Sequence, residues 1–230
     1  MRILTLEAIE RIEIALRVSI NEVMIQKDNT GLWWDLDDKT YHNYCDKTKK
    51  DKILSLAKNF KEVGQNYRNK KHPILRTHWQ KNEMQPPFWK LMEFLTFGDI
   101  SKLFGLLKQN IQQEICRMMT PATPKVWHCA QSWFQMLNNI RNISAHHQRF
   151  WNAKHVTDLK PYKDIKYPRL GLLTGDRSTF ATLLICRFML DQLSPNHTWW
   201  ERLIMLFKEH NILENNKLRE EMGIRPEDLT

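Results

Sequence analysis

At 230 residues the chain has room for one domain of ordinary to large size, or for a main domain that carries an insertion. Its 42% hydrophobic content, with nine Trp and ten Phe, supplies a core and excludes a disordered protein. The formal net charge of +9 points to a polyanionic partner, nucleic acid before membrane, although a basic protein can also bind nothing in particular.

The first predicted element is a helix over residues 5–26, with Ile9, Ile12, Leu16, Ile20 and Val23 on one side and Thr5 as its cap. Glu7 and Glu10 interrupt its start before a secretory core could form, so no signal peptide is expected and the cytoplasm is the expected location. A Gly-containing turn at Asp28, Asn29, Thr30 and Gly31 should end it. A second helix is expected over residues 47–60, with Ile53, Leu54, Leu56, Ala57 and Phe60 apolar. Pro86 and Pro87 then open a short apolar run at 88–95. Gly98 and Asp99 mark a break before a helix through Leu103, Phe104, Leu107, Ile111, Ile115 and Met118.

Pro121 and Pro124 separate that helix from the most informative one, over residues 125–151. Residues 152–176 read as irregular, punctuated by Pro161, Pro168, Gly171 and Gly175. Apolar helices follow at 178–193 and 198–209, with a short polar one before Pro226. No period-two alternation and no repeat is visible, so the expected class is all-α, an antiparallel helical bundle. No apolar stretch is long enough to span a bilayer, and no membrane partner is expected.

Charge is uneven. Residues 46–81 hold 11 Lys or Arg against 3 acids, almost the whole net charge, in what reads as a basic and inserted segment. Lys47, Lys49, Lys50 and Lys52 are its candidate RNA contacts, and a solvated lysine face is the equal alternative. Cys45, Cys116, Cys129 and Cys186 are scattered, which fits reduced thiols. No Cys or His pair stands at ligand spacing beside a second, so neither a metal nor another cofactor is expected.

Residues 138–152 concentrate polar chemistry. On one helix at about 100° per residue, Trp133, Leu137, Ile140, Ser144 and Trp151 form a buried stripe. His147 falls at the edge of that stripe, where a satisfied core histidine is the favoured reading. Asn142, His146 and Arg149 share the opposite side, with no acid between Gln131 and Trp151. An imidazole exchanges protons near neutral pH, and a guanidinium grips a phosphate and offsets the charge of its transition state. RNA brings its own nucleophile, the 2′-hydroxyl, so these groups suit RNA transesterification better than DNA hydrolysis. Arg141 and His146 lie about 140° apart on an ideal helix, too far round to aim at one phosphate. Two copies facing across a two-fold axis would solve this, and a helix break near Ser144 would be another solution.

Arg141-Asn142-x-x-x-His146 resembles the R-N-x3-H motif of HEPN ribonucleases. Its extension through His147, Gln148, Arg149, Phe150, Trp151 and Asn152 is similar to the A-H-H-x-R-L-W-N signature of Abi-like proteins, the abortive-infection family of the AbiD and AbiF type, with Phe150 in place of Leu. The early helix from Leu6 to Arg17 and the P-P-x-W block at 86–98 agree, with Thr96 in place of Ser; a late Trp, Trp199 or Trp200, agrees too. The resemblance implies a single HEPN helical domain over 1–230, RNA as substrate or regulatory partner, a homodimer, and metal-independent RNA cleavage in bacterial defence against phage. It makes Arg141 and His146 the catalytic pair, with Asn142, His147, Arg149 and Asn152 as supporting or RNA-binding residues. Family members usually carry several dozen residues before the early helix, whereas this chain begins almost inside it. The alternative is a HEPN module that binds RNA or a protein partner without cutting.

Overall fold

The computed structural model describes residues 1–27, 47–69, 73 and 87–229, leaving aside the side chains of 47–50, 67–69, 124, 227 and 229. Among the described residues it is all-α, as the periodicity predicts, with nine α-helices and no β-strand. These are α1 (Arg2–Lys27), α2 (Lys47–Asn69), α3 (Phe88–Leu91), α4 (Phe97–Leu106), α5 (Gln109–Met119), α6 (Trp127–Ala145), α7 (Thr179–Leu193), α8 (Trp199–Glu209) and α9 (Asn216–Met222). The chain divides into two compact units, Met1–Ala15 with Cys116–Thr230, and Leu16–Ile115. No helix among the described residues is long and apolar enough to cross a membrane.

In α1 the predicted stripe of Ile9, Ile12, Leu16, Ile20 and Val23 is buried throughout. Thr5 is not its cap. The helix starts at Arg2, and the Thr5 hydroxyl donates back to the Met1 carbonyl at 3.1 Å. The turn expected at 28–31 lies outside the described residues.

Within Leu16–Ile115, α2 runs nine residues past the predicted end at Phe60, to Asn69. Nothing in Lys61-Glu62-Val63 breaks a helix, and Lys58 and Glu62 pair one turn apart at 3.8 Å. Leu54, expected on the apolar side, is 44% exposed. Phe60 meets Phe88 edge to face at 5.4 Å, and the Arg17 guanidinium donates to the carbonyls of Met92 and Leu95, so this arginine of the early helix is structural. The break expected at Gly98 falls earlier. Thr96 caps α4 and forms a capping box with Asp99, which places Gly98 and Asp99 in the first turn. The single helix expected through Met118 is two, because Leu107 turns to extended torsions between α4 and α5. The Gln112 amide donates to the Phe104 carbonyl at 2.8 Å, which the Leu107 N–H reaches only at 3.3 Å, so the side chain takes the place of the helical partner lost at the break. Met118 ends up 45% exposed rather than in the core.

The other unit is built on α6 and α7. Trp133 of α6, 1% exposed, packs edge to face on Phe188 of α7 at 5.5 Å, and its indole N–H donates to the Lys160 carbonyl at 2.9 Å. Residues 152–176 are irregular as expected, apart from a 3-10 turn at Pro168–Leu172. Ser178 caps α7 through the Ala181 N–H. The Trp199 indole donates to the Leu4 carbonyl at 2.6 Å, which ties the start of α1 to α8.

Candidate functional site

The informative helix stops at Ala145, six residues short of the expected end at Trp151. His147 has φ +54°, its N–H bonds to the Ser144 carbonyl at 3.4 Å, and the Gln148 N–H bonds to the Ile143 carbonyl at 3.0 Å. That pair of bonds is a Schellman cap, in which the residue after the cap adopts the left-handed conformation and consumes the last free carbonyls. Glycine is the usual occupant, so the periodic pattern carried no warning of the stop.

The cap revises several placements. Trp133, Leu137, Ile140 and Ser144 are buried as expected, but Trp151 lies beyond the helix, half-buried, with its indole donating to Glu221 at 2.9 Å. His147 is exposed, not a core histidine at the stripe's edge, because the left-handed residue swings its side chain off the helix surface. Replacing it should therefore act through the backbone. His147→Gly is expected to raise stability by about 0.5–1 kcal/mol, since glycine takes a positive φ without the Cβ clash. A urea titration of the two proteins measures this, and an unchanged midpoint would rule out the strained cap.

Arg141, Asn142 and His146 all stand exposed at the end of α6, and among the described residues no hydrogen bond or ion pair engages the side chain of Arg141 or His146. His146 is the cap residue, with φ −90° and ψ 13°, so the chain is still nearly helical when it reaches this side chain. The break comes one residue too late to bring His146 round to Arg141, and their separation stays near the helical value of about 140°. Arg149 is exposed and lies past the helix, its Nε donating to the Trp151 carbonyl at 3.2 Å. It does not share a helical face with Asn142 and His146, as ideal geometry had suggested.

The segment after the cap is pinned. The Thr179 hydroxyl donates to the carbonyl of buried Phe150 at 2.9 Å, and the His155 N–H donates to the Arg177 carbonyl at 3.0 Å. Asn152, at φ +50°, lines a separate cavity of about 880 Å³ with Arg169, Arg177 and Arg225. Lys52 is exposed but belongs to the Leu16–Ile115 unit, and the side chains of Lys47, Lys49 and Lys50 lie outside the described residues.

A cleft of about 380 Å³ opens beside the motif, lined by Leu6, Glu10, Glu13 and Ile14 of α1 and by Arg141 and Ala145 of α6. Sequence reasoning missed the two acids. Their spacing with Leu6 and Ile14 marks one face of α1, but nothing in the spacing says that this face borders Arg141. Cys116, Cys129 and Cys186 are free and buried, and burial pushes the Cys129 thiol up to about 12, so none offers a thiolate. His155 is also buried; desolvation lowers its pKa and holds the ring neutral at pH 7. Among the described residues no three His, Cys, Asp or Glu side chains are grouped to hold a metal ion.

The chain is thus an all-α protein with Arg141, Asn142 and His146 exposed together at one helix end. The model of the Abi-like protein family matches residues 1–152, from the start of α1 through Asn152, and the chain belongs to that family. No curated protein and no solved structure matches it.

Proposed function

We propose that this Abi-like protein is a HEPN-type endoribonuclease that cleaves RNA without a metal ion, in abortive-infection defence against phage. The observation that carries the reading is the state of the R-N-x3-H positions in a chain of this family. Arg141, Asn142 and His146 are all exposed, and among the described residues no hydrogen bond or ion pair engages the side chain of Arg141 or His146.

In the proposed reaction the RNA 2′-oxygen attacks the adjacent phosphorus and the bond from phosphorus to the 5′-oxygen breaks. A His146 imidazole takes the 2′-hydroxyl proton, and an imidazolium delivers a proton to the departing 5′-oxygen. Arg141 donates to the non-bridging oxygens, where negative charge grows. One copy separates Arg141 and His146 by about 140°, so a two-fold pair of chains would place both kinds of group around one phosphate. The Schellman cap supports this division, since its hydrogen bonds keep His146 on its own side of α6.

Purified protein incubated with single-stranded RNA is expected to cut in excess chelator. The fragments should end in a 2′,3′-cyclic phosphate and begin with a 5′-hydroxyl. Deoxyribose at the cleaved position should stop the reaction and weaken binding only slightly, because it removes the nucleophile and no phosphate contact. Cutting of the deoxy-substituted strand, or strict dependence on magnesium, would overturn the mechanism.

A further inference from the structure

The cleft beside Arg141 holds a combination that phosphate binding alone does not explain. Leu6, Ile14 and Ala145 form apolar walls, Glu10 and Glu13 bring carboxylates, and Arg141 brings a guanidinium. Among the described residues neither Glu10 nor Arg141 is engaged in a hydrogen bond or ion pair, so the two opposite charges line one cleft without pairing. A carboxylate next to a phosphate-binding arginine repels the phosphate. Its presence makes sense where the ligand offers N–H donors and a flat apolar surface close to its phosphate. An unstacked nucleobase has that chemistry, and splayed single-stranded bases are read on their hydrogen-bonding edges between such walls. The cleft, at about 380 Å³, falls in the range of small-ligand sites, roughly 300–1,000 Å³.

The base can be narrowed by donor pattern. An ionised carboxylate is acceptor only, with two oxygens side by side. Guanine presents N1–H and N2–H in parallel and can fill both. Adenine and cytosine each set a single exocyclic donor beside a ring acceptor that the carboxylate repels. Uracil flanks its one N–H with two carbonyl oxygens. We infer that the α1–α6 cleft is a guanine-recognition site, with Glu10 reading the base edge and Arg141 holding the phosphate of the same nucleotide. The inference rests on the ribonuclease reading and adds to it a preference for guanosine at the cut.

The test uses the full chain with guanosine, adenosine, cytidine and uridine 3′-monophosphates as probes, so no cleavage is needed. Calorimetry should show the guanosine nucleotide bound at least about tenfold more tightly than the other three, the discrimination typical of one bidentate base contact. Glu10→Gln replaces one acceptor oxygen by a donor and should bring the four affinities within about twofold of one another. Glu10 is exposed at mid-helix, so the variant should keep the wild-type melting temperature. Equal binding of all four nucleotides, binding of none, or an intact preference in Glu10→Gln would overturn the inference. So would a change in self-association with nucleotide binding untouched, which would make the cleft an interface between copies. A protein that selects the guanosine nucleotide yet leaves RNA uncut would defeat the ribonuclease reading alone.

Discussion

Replacing Arg141 or His146 with alanine is expected to abolish RNA cleavage and leave the fold unchanged. The guanidinium is assigned to transition-state charge, where the loss of one donor costs about 10²–10³ in rate. The imidazole is assigned to proton transfer, worth about 10²–10⁴. Both side chains are exposed and unbonded among the described residues, so each variant should keep its stability within about 0.5 kcal/mol. Single-turnover cleavage and a thermal melt of each variant measure the two effects. If both variants cut RNA at the wild-type rate, the assignment is wrong. Mixing the two inactive variants adds a geometric test. A centre that takes Arg141 from one copy and His146 from the other is rebuilt in a mixed dimer, and activity should return. A centre that draws both groups from one copy gains nothing from mixing.

The second large effect is expected at Trp133. Its ring is enclosed against Phe188, and its N–H bonds to the Lys160 carbonyl, so it locks α6 to both α7 and the irregular segment. Trp133→Ala should cost about 3–5 kcal/mol from lost transfer energy and the cavity left behind. Against a total stability of about 5–15 kcal/mol that leaves little folded margin. Trp133→Phe keeps most of the packing and loses the hydrogen bond, at a cost of about 1 kcal/mol. Denaturant titrations order the three proteins. A loss below about 1 kcal/mol for the alanine variant would mean that the indole is not the link between these elements.

Much of the architecture was legible because helical burial leaves a periodic trace. Ile9 through Val23, Trp133 through Ser144, and Trp199, Leu203 and Phe207 of α8 all lie where a period of about 3.6 residues puts them, whereas α7 is buried on nearly every side, as its continuous apolar run requires. Errors gathered at the ends of helices. Thr5 looked like a cap but lies inside α1, and α2 outran its apolar pattern. The helix expected through Met118 broke at Leu107, where Gln112 could bond the Phe104 carbonyl from across the break. Each ending depends on which partner meets a backbone group, and that partner is chosen in three dimensions.

The same division holds at the site. By itself the sequence determined the all-α class and the Abi-like membership, and it singled out Arg141, Asn142 and His146. The class follows from apolar spacing, and the membership and the Arg141–His146 pair from the motif's resemblance to the family, neither of which needs knowledge of neighbours. Only the tertiary structure decided that α6 ends in a Schellman cap, that His147 points into solvent, and that Arg149 and Trp151 leave the helix. It alone brought Glu10 and Glu13 to the cleft beside Arg141, more than a hundred residues along the chain. The physical reason is that a helix pattern specifies which face is buried but not which other helix covers or flanks it. That choice is made by packing, where shape and the satisfaction of polar groups are settled between elements distant in sequence.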